Sequence, residues 1–499
     1  VTKNTATTPL RASMLPSIDD VVAIPEYDRS ALRRSIVHIG VGGFHRAHLA
    51  TYIDELCRQG HTDWSIVGTG VLPGDIAMAE ALGAQDHLYT LITRGAAATN
   101  VQVIGSIVDY LLATPNPASM IDQIAAEETQ IVSLTVTEGG YPIDDQTGDY
   151  QSESRNAGPA SAFGILAAAL DQRRLAHGKP ITVMSCDNVM HNGKVARTAV
   201  LGEAARFNPE LLSWIDSAVS FPNSMVDRIT PATSDTDRVW LAENHHIGDR
   251  WPVVTEPFRQ WVVEDDFAGE RLPFEALDII VTNDVQPYEV MKLRLLNAGH
   301  SCLAYLSALA GIDTVDAAMA NPKITDYVRA FLDVESKPAL PPVAGIDIDN
   351  YNDTLIERFS NPNIGDQISR LALDGTSKFP KFLLPTLRAQ LAADGPIGLT
   401  SLALAAWCQY LNGVDDHGNT IEVASDPNLD DARRYAQLSI AEPTAFLGLA
   451  QVFDAELASC ERFRSTFALA LLELRRAGAL ASIDAALNEL ESTGDRPTS

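Results

Sequence analysis

The sequence predicts an α/β chain in two domains: a doubly wound, mostly parallel sheet over residues 1–285 and a mostly α-helical domain over residues 286–499. Three observations predict it. A length of 499 residues exceeds what one simple core absorbs, so two cores are expected. Short β-rich runs alternate with helix-patterned ones in the first half, as parallel strands joined by helical crossovers do. From Glu289 onward β-branched runs thin out and amphipathic stretches take over.

The expected strands are Ile36–Ile39, Ser65–Thr69, Val101–Ile104, Gln130–Val136, Ile181–Ser185, Ala218–Phe221 and Asp278–Val281, with Ala-rich helical stretches such as Ala160–Gln172 between them. The second half offers helical patterns over Glu289–Ala310, Lys323–Leu332, Phe382–Ala393, Gly398–Leu411 and Cys460–Arg476. The boundary is expected at Asn283–Pro287, because Pro287 suits the first turn of a helix, where its missing N–H costs nothing. Both ends, residues 1–13 and 492–499, are expected to fray.

Charge narrows the partners. A net charge of −28 repels phosphate backbones and anionic membrane surfaces, so neither nucleic acid nor membrane is expected. A neutral small molecule fits better, or an anion held by a local basic pocket. The five cysteines are scattered with no CxxC pair, which points to reduced thiols in the cytoplasm. The first 16 residues lack the apolar core of a signal peptide.

The run Ile36–Ile39 leads into Gly40-Val41-Gly42-Gly43-Phe44-His45-Arg46, an apolar strand followed by a glycine turn and a helix start. Gly40 permits a tight turn, Gly42 lets backbone approach a pyrophosphate, and the helix start offers free N–H groups. The third glycine of such a turn is replaced by His45, so a purely structural turn stays open as an alternative. After the second strand the nearest acid is Asp75, and no Lys or Arg lies between Gly68 and Asp75 to meet a 2′-phosphate. This favours NAD over NADP; a helix N-cap is the other reading of Asp75.

A second set lies in the helical pattern opened by Pro287. At ~100° per residue, Glu289, Lys292, Asn297 and His300 fall within an arc of roughly 140° on a helix otherwise rich in Leu and Met. A solvated stripe with a satisfied histidine would explain them. So would catalysis: a lysine buried beside a cationic nicotinamide is pushed toward its neutral form and can take an alcohol proton. Tyr288 and Lys292 also spell the YxxxK pair of short-chain dehydrogenases, but those chains are about half as long and space their glycines differently. A third set follows strands, where open α/β sheets bind ligands: Glu138 after Gln130–Val136, Asn188 after Ile181–Ser185, and Val226-Asp227-Arg228 shortly after Ala218–Phe221. No His or Cys spacing suits a metal, so none is expected.

The ordered segments GVGGFHRAH (40–48), VSLTVTEGGY (132–141), TVMSCDNVMHNG (182–193), SFPNSMVDRITP (220–231), PYEVMKLRLLNAGH (287–300) and SKFPKF (377–382) resemble the polyol-specific long-chain dehydrogenase family. The resemblance implies a Rossmann-type N-terminal domain and zinc-independent, NAD-dependent oxidation of a sugar alcohol such as D-mannitol to its 2-ketose, D-fructose, and the reverse. It implies Lys292 as general acid/base, Asn188 and Asn297 as donors to the alkoxide, His300 as a hydroxyl partner and Glu289 as a proton relay. Asp227, Arg370 and Lys378 resemble the residues that hold the polyol, with Val226 lining the pocket. Gly40, Gly42, Gly43 and Phe44, with Asp75 and Glu138, resemble the cofactor-binding positions. Members that prefer NAD often carry an acidic pair after the second strand; here Gly74 takes the first position. The resemblance also leans toward a monomer. D-Arabinitol or D-sorbitol oxidation and fructuronate or tagaturonate reduction are rival activities, and a non-catalytic NAD(H) sensor is a rival of another class.

Overall fold

The structure is a computed structural model that describes residues 7–144 and 147–493. It divides into two compact units, Val1–Gln286 and Pro287–Ser499.

The first unit is built on six parallel strands: β1 (Ile36–Ile39), β2 (Ile66–Gly70), β3 (Ile107–Leu112), β4 (Ile131–Leu134), β5 (Ile181–Ser185) and β6 (Val219–Ser220). Their spatial order is 3-2-1-4-5-6. This is the doubly wound order, whose direction reverses between β1 and β4, where ligands enter at the carboxyl ends. The central strands are buried throughout because both faces are covered. Ile36, Ile66 and Ile131 pack under the helix Leu49–Arg58, while Val37, Val132 and Val183 pack under the helices Ala162–Ala176 and Asn192–Phe207. The α/β reading of the sequence therefore holds.

Smaller sheets add to this unit; of their strands, only those matching the expected Val101–Ile104 and Asp278–Val281 are read from the sequence. Tyr89–Arg94 pairs antiparallel with Thr99–Ile104 and parallel with Val253–Thr255. Ser224–Asp227 pairs antiparallel with Gln260–Glu264, which pairs parallel with Ile280–Thr282. The frayed N-terminus is corrected from residue 7 on. Thr8–Pro9 forms a parallel pair with Ile247–Gly248, and Leu10 is fully buried beside Leu88 and Ile247. Residues 1–6 and 494–499 of the expected tails lie outside the described residues, and the last helix runs to Thr493.

The second unit is helical. Its centre is Gly398–Tyr410, buried nearly throughout and packed on Ala298–Leu309 and Glu461–Ala477. The start of this central helix has no cap of its own. The buried carboxyl group of Glu335 instead accepts the Leu399 and Thr400 N–H groups at 2.7 and 2.8 Å, satisfying donors that a helix start leaves open. Burial pushes this carboxyl up to about 7, against those hydrogen bonds.

The expected helix Glu289–Ala310 is interrupted. It begins at Gln286, with Pro287 in its first turn, and runs as α to Lys292. Leu293–Asn297 then forms a π-turn, and Ala298–Leu309 is α again. A second π-segment, Phe331–Ser336, follows Pro322–Ala330.

Candidate active-site residues

The first unit gathers its residues at the carboxyl ends of β1, β2, β4 and β5. Gly40 sits at φ +94°, and a Cβ there would lie 2.2 Å from the Thr135 carbonyl oxygen, so only glycine fits. Gly42 has an ordinary backbone conformation, and the place of its Cβ meets nothing nearer than the Gly40 oxygen at 4.0 Å. The positions of Cβ at Gly74 and Gly139 face open space as well. A turn closed at Gly40 and open at Gly42, Gly74 and Gly139 leaves room for an extended ligand along the strand ends.

The helix after the turn departs from expectation. Gly43–Ala47 is only five residues long and breaks at His48 (φ −117°, ψ −94°) before Leu49–Arg58 begins. Little macrodipole accumulates over one turn, so individual N–H groups and not a long helix dipole face a ligand here. At the place of the missing third glycine, the His45 ring stacks on His38 of β1, with centroids 3.4 Å apart. The Thr135 hydroxyl donates to the Gly40 oxygen at 2.6 Å, so it must accept from His38 Nε2 at 2.8 Å. His38 Nδ1 then accepts from Ser133 Oγ. Burial pushes His38 down to about 3 and His45 well below its usual value, so both rings are neutral. A flat, uncharged stack here spaces the helix start from the strand, where the third glycine would let them touch.

Asp75 opens the helix Asp75–Gly83, and Gly74, not Asp75, is its N-cap. One Asp75 oxygen accepts the Leu72 N–H at 2.8 Å; Leu72 itself is exposed. The carboxylate thus shapes the loop after β2, and the N-cap alternative falls.

After β4 and β5 a buried carboxylate joins two loops. Asp187 accepts the N–H groups of Val136 and Thr137 at 3.1 and 2.8 Å and the Tyr141 hydroxyl at 2.7 Å. Burial pushes its carboxyl up, against these three bonds. Thr137 is held at φ +66°, ψ +163°, a conformation that β-branched residues avoid. The strain lies one residue before Glu138, whose carboxylate accepts from Asn188 Nδ2 at 3.3 Å. The structure thus brings Glu138 and Asn188 into contact. Asp187 is flagged in the sequence only by its place after a strand; its partners come from a distant loop.

Val226 and Asp227 end the strand Ser224–Asp227, and both are buried. The next residue, Arg228, donates to the Ala47 oxygen at 2.5 Å and to the Glu256 oxygen. This ties the strand end to the last residue of the helix behind the glycine turn.

In the second unit, Glu289 and Lys292 are buried, and Asn297 and His300 are half-buried on the same interrupted helix. His300 stacks on Phe359 with centroids 4.2 Å apart. Arg370 and Lys378 come from helices packed on this one, Ile368–Leu371 and Gly375–Phe382. Arg370 Nε donates to Asp366 at 2.6 Å in a two-point ion pair, and Lys378 Nζ donates to the Leu371 oxygen at 3.2 Å. The expected 140° arc assumed an unbroken α-helix. The π-turn between Lys292 and Asn297 overturns that geometry, because a bond spanning five residues widens the turn. Nothing in the residue pattern marks it.

Among the described residues, no group of three or more His, Cys, Asp or Glu side chains could hold a metal ion, and no helix is long and apolar enough to cross a membrane.

Comparison with known proteins gives two family matches: the mannitol dehydrogenase Rossmann domain over residues 34–276 and the mannitol dehydrogenase C-terminal domain over residues 284–475. The chain is 44% identical over 483 residues to mannitol 2-dehydrogenase of Aspergillus fumigatus, covering 94% of this chain and 96% of that one. Among solved structures it is similar to Pseudomonas fluorescens mannitol 2-dehydrogenase in ternary complex with NAD and D-mannitol. That match has 42% identity and a TM-score of 0.87, over 96% of this chain and all of the other (100%). A D-sorbitol dehydrogenase in substrate-free form matches at 35% identity and a TM-score of 0.85, over 95% and 100% of the two chains.

Proposed function

The chain belongs to the mannitol dehydrogenase family, and from that premise we propose that it oxidises D-mannitol to D-fructose with NAD and catalyses the reverse reduction. The observation that carries the catalytic part is Lys292, buried on a helix with Glu289, Asn297 and His300.

The glycine turn fits a dinucleotide, since Gly42 leaves open the space a Cβ would fill while Gly40 closes the turn. Gly40, Gly42, Gly43 and Phe44 would hold the pyrophosphate side, Asp75 the ribose and Glu138 the far end. NAD, when bound, supplies the hydride acceptor. Lys292, as the neutral amine, takes the proton of the carbinol hydroxyl as hydride leaves, and returns it in the reverse direction. Asn188 and Asn297 donate to the oxygen as its negative charge grows. His300 bonds the same substrate edge, and Glu289, one turn before Lys292, passes the proton onward. Val226 lines the polyol site, and Asp227, Arg370 and Lys378 bind its hydroxyls.

The ion pair of Arg370 with Asp366 favours a neutral substrate over a uronate. Its guanidinium charge is already matched, which leaves donors for hydroxyls but little net field for a carboxylate. The five cysteines are free thiols, which supports the reading of a cytoplasmic enzyme; a monomer is part of the same reading.

The test is NADH oxidation followed by absorbance with D-fructose, D-xylulose, D-fructuronate or D-tagaturonate, in EDTA, with NADPH as a control. Rapid turnover of fructose with NADH is expected. Turnover of uronates alone refutes the reading. The similarity to a D-sorbitol dehydrogenase favours sorbitol as a second reading. Both polyols yield fructose on oxidation at C2, so chromatography of the reduced product, mannitol or sorbitol, decides between them.

A further inference from the structure

We infer that Ser336 is a positioning residue for this reaction: its hydroxyl holds the π-turn that sets Asn297 in register with Lys292. The inference rests on the roles proposed above for those two residues.

In an unbroken α-helix, five residues advance the direction by about 500°, so Asn297 would point ~140° away from Lys292. Bonding from each residue to the fifth one on widens the turn and brings the later side chain back over the earlier one. Lys292 ends the α-helix Gln286–Lys292, and the π-turn occupies the five residues up to and including Asn297. The shared direction of the two groups therefore depends on the turn remaining π.

A π-turn gives up hydrogen bonds that the α form would make, so it needs outside support. Here the change is visible at one atom. An α-helix would send the Ala298 N–H to the Arg294 oxygen; instead it goes to the oxygens of Leu293 and Leu295. The Arg294 oxygen accepts the Ser336 hydroxyl at 2.7 Å. Ser336 is fully buried at the end of the second π-segment, Phe331–Ser336, so its direction is set by a helix that is itself packed. Arg294 answers across the same gap, its guanidinium donating to the Ala339 oxygen at 2.5 Å. One hydroxyl thus joins the two π-segments, and the guanidinium anchors the first of them to the 3-10 turn Lys337–Ala339 that follows the second. Without the hydroxyl, the Arg294 oxygen regains a donor most directly by taking back the Ala298 N–H, which is the step toward the α form. That step turns Lys292 relative to Asn297 without touching the cofactor residues of the first unit.

The test compares wild type with Ser336→Ala in the fructose and NADH assay, together with NADH binding by fluorescence and thermal melting. For a folded Ser336→Ala, kcat is expected to fall ~10²-fold, the loss that a misplacement near 1 Å produces. KM for fructose and Kd for NADH stay near wild type, and the kcat–pH profile is displaced because the environment of Lys292 has changed. Wild-type kcat with an unshifted pH profile in the folded variant overturns the inference, as does a loss confined to KM or to the folded fraction. If Ser336→Ala does not fold, Ser336→Cys keeps the size with a weaker donor; an intermediate kcat supports the inference and a wild-type kcat overturns it. A wild-type chain that turns over no fructose is a separate failure, since it removes the activity reading itself.

Discussion

Replacing Gly40 and Gly42 by alanine, one at a time, separates the structural from the binding role of the glycine turn. At Gly40 the φ of +94° costs an L-residue ~1–2 kcal/mol. The new Cβ would sit 2.2 Å from the Thr135 oxygen, more than 1 Å inside ordinary contact at 3.4 Å. Neither side can yield cheaply, because the Thr135 hydroxyl and His38 Nε2 both bond the Gly40 oxygen. Overpacking of this kind adds ~1–3 kcal/mol, giving roughly 2–5 kcal/mol in all. For a domain of this size that lowers the Tm by roughly 5–15 °C. Gly42→Ala meets no such obstacle, since its φ of −108° suits any residue and only one atom lies at 4.0 Å. Its Tm should stay within ~2 °C of wild type, because removing a glycine at a compatible site costs nothing. Its Cβ, however, enters the space proposed for the pyrophosphate, so Kd for NADH should rise roughly ten- to a hundredfold, matching ~1–3 kcal/mol of steric cost. Calorimetry and fluorescence titration of both variants are the assays. Wild-type NADH affinity in Gly42→Ala would refute the placement of the cofactor, and an unchanged Tm in Gly40→Ala would refute the steric argument.

Lys292→Ala should cost several orders of magnitude in kcat, with Kd for NADH within a few-fold of wild type; lost NADH binding would show that the lysine is not a chemical group. Asp75→Ala should weaken NADH at least ~10-fold while leaving NADPH little changed, and equal losses in the two titrations would make Asp75 a purely structural residue of the loop. Acid should destabilise the chain. His38 and His48 are pushed down to about 3 and His45 well below its usual value, all by burial, so the unfolded chain takes up protons near pH 6.5 that the folded one refuses. Their stabilising contribution is present above the unfolded value and is lost as pH falls, by about 2 kcal/mol per histidine at pH 5. Glu335 acts in the opposite sense. Its raised value makes its contribution full at low pH and lost as pH climbs to about 7. Three histidines outweigh one glutamate between pH 7 and 5, so urea unfolding should show lower stability at pH 5; equal or greater stability there would contradict the burial of neutral rings.

Much of the candidate site was readable because it rests on near neighbours. An apolar run followed by Gly40-Val41-Gly42 specifies a strand and a tight turn through local sterics, and β1 and β5 fall where apolar patterning places them. Lys292 and Asn297 share one helical pattern, so their common element was legible as well. Their relative direction was not. Periodicity assumes one α geometry, whereas the π-turn depends on a hydroxyl from Ser336, a residue well removed along the chain. His45 breaks the glycine pattern, and its stack on His38 has meaning only once β4 brings Ser133 and Thr135 alongside. The partners of Asp187 and the pairing of Thr8–Pro9 with Ile247–Gly248 are of the same kind. Side-chain periodicity and turn sterics act over a few residues and are written in the chain. Which donor satisfies a buried acceptor is settled by segments that meet only on folding, so tertiary packing alone chose the brace at Ser336, the histidine stack and the carboxylate that joins β4 to β5.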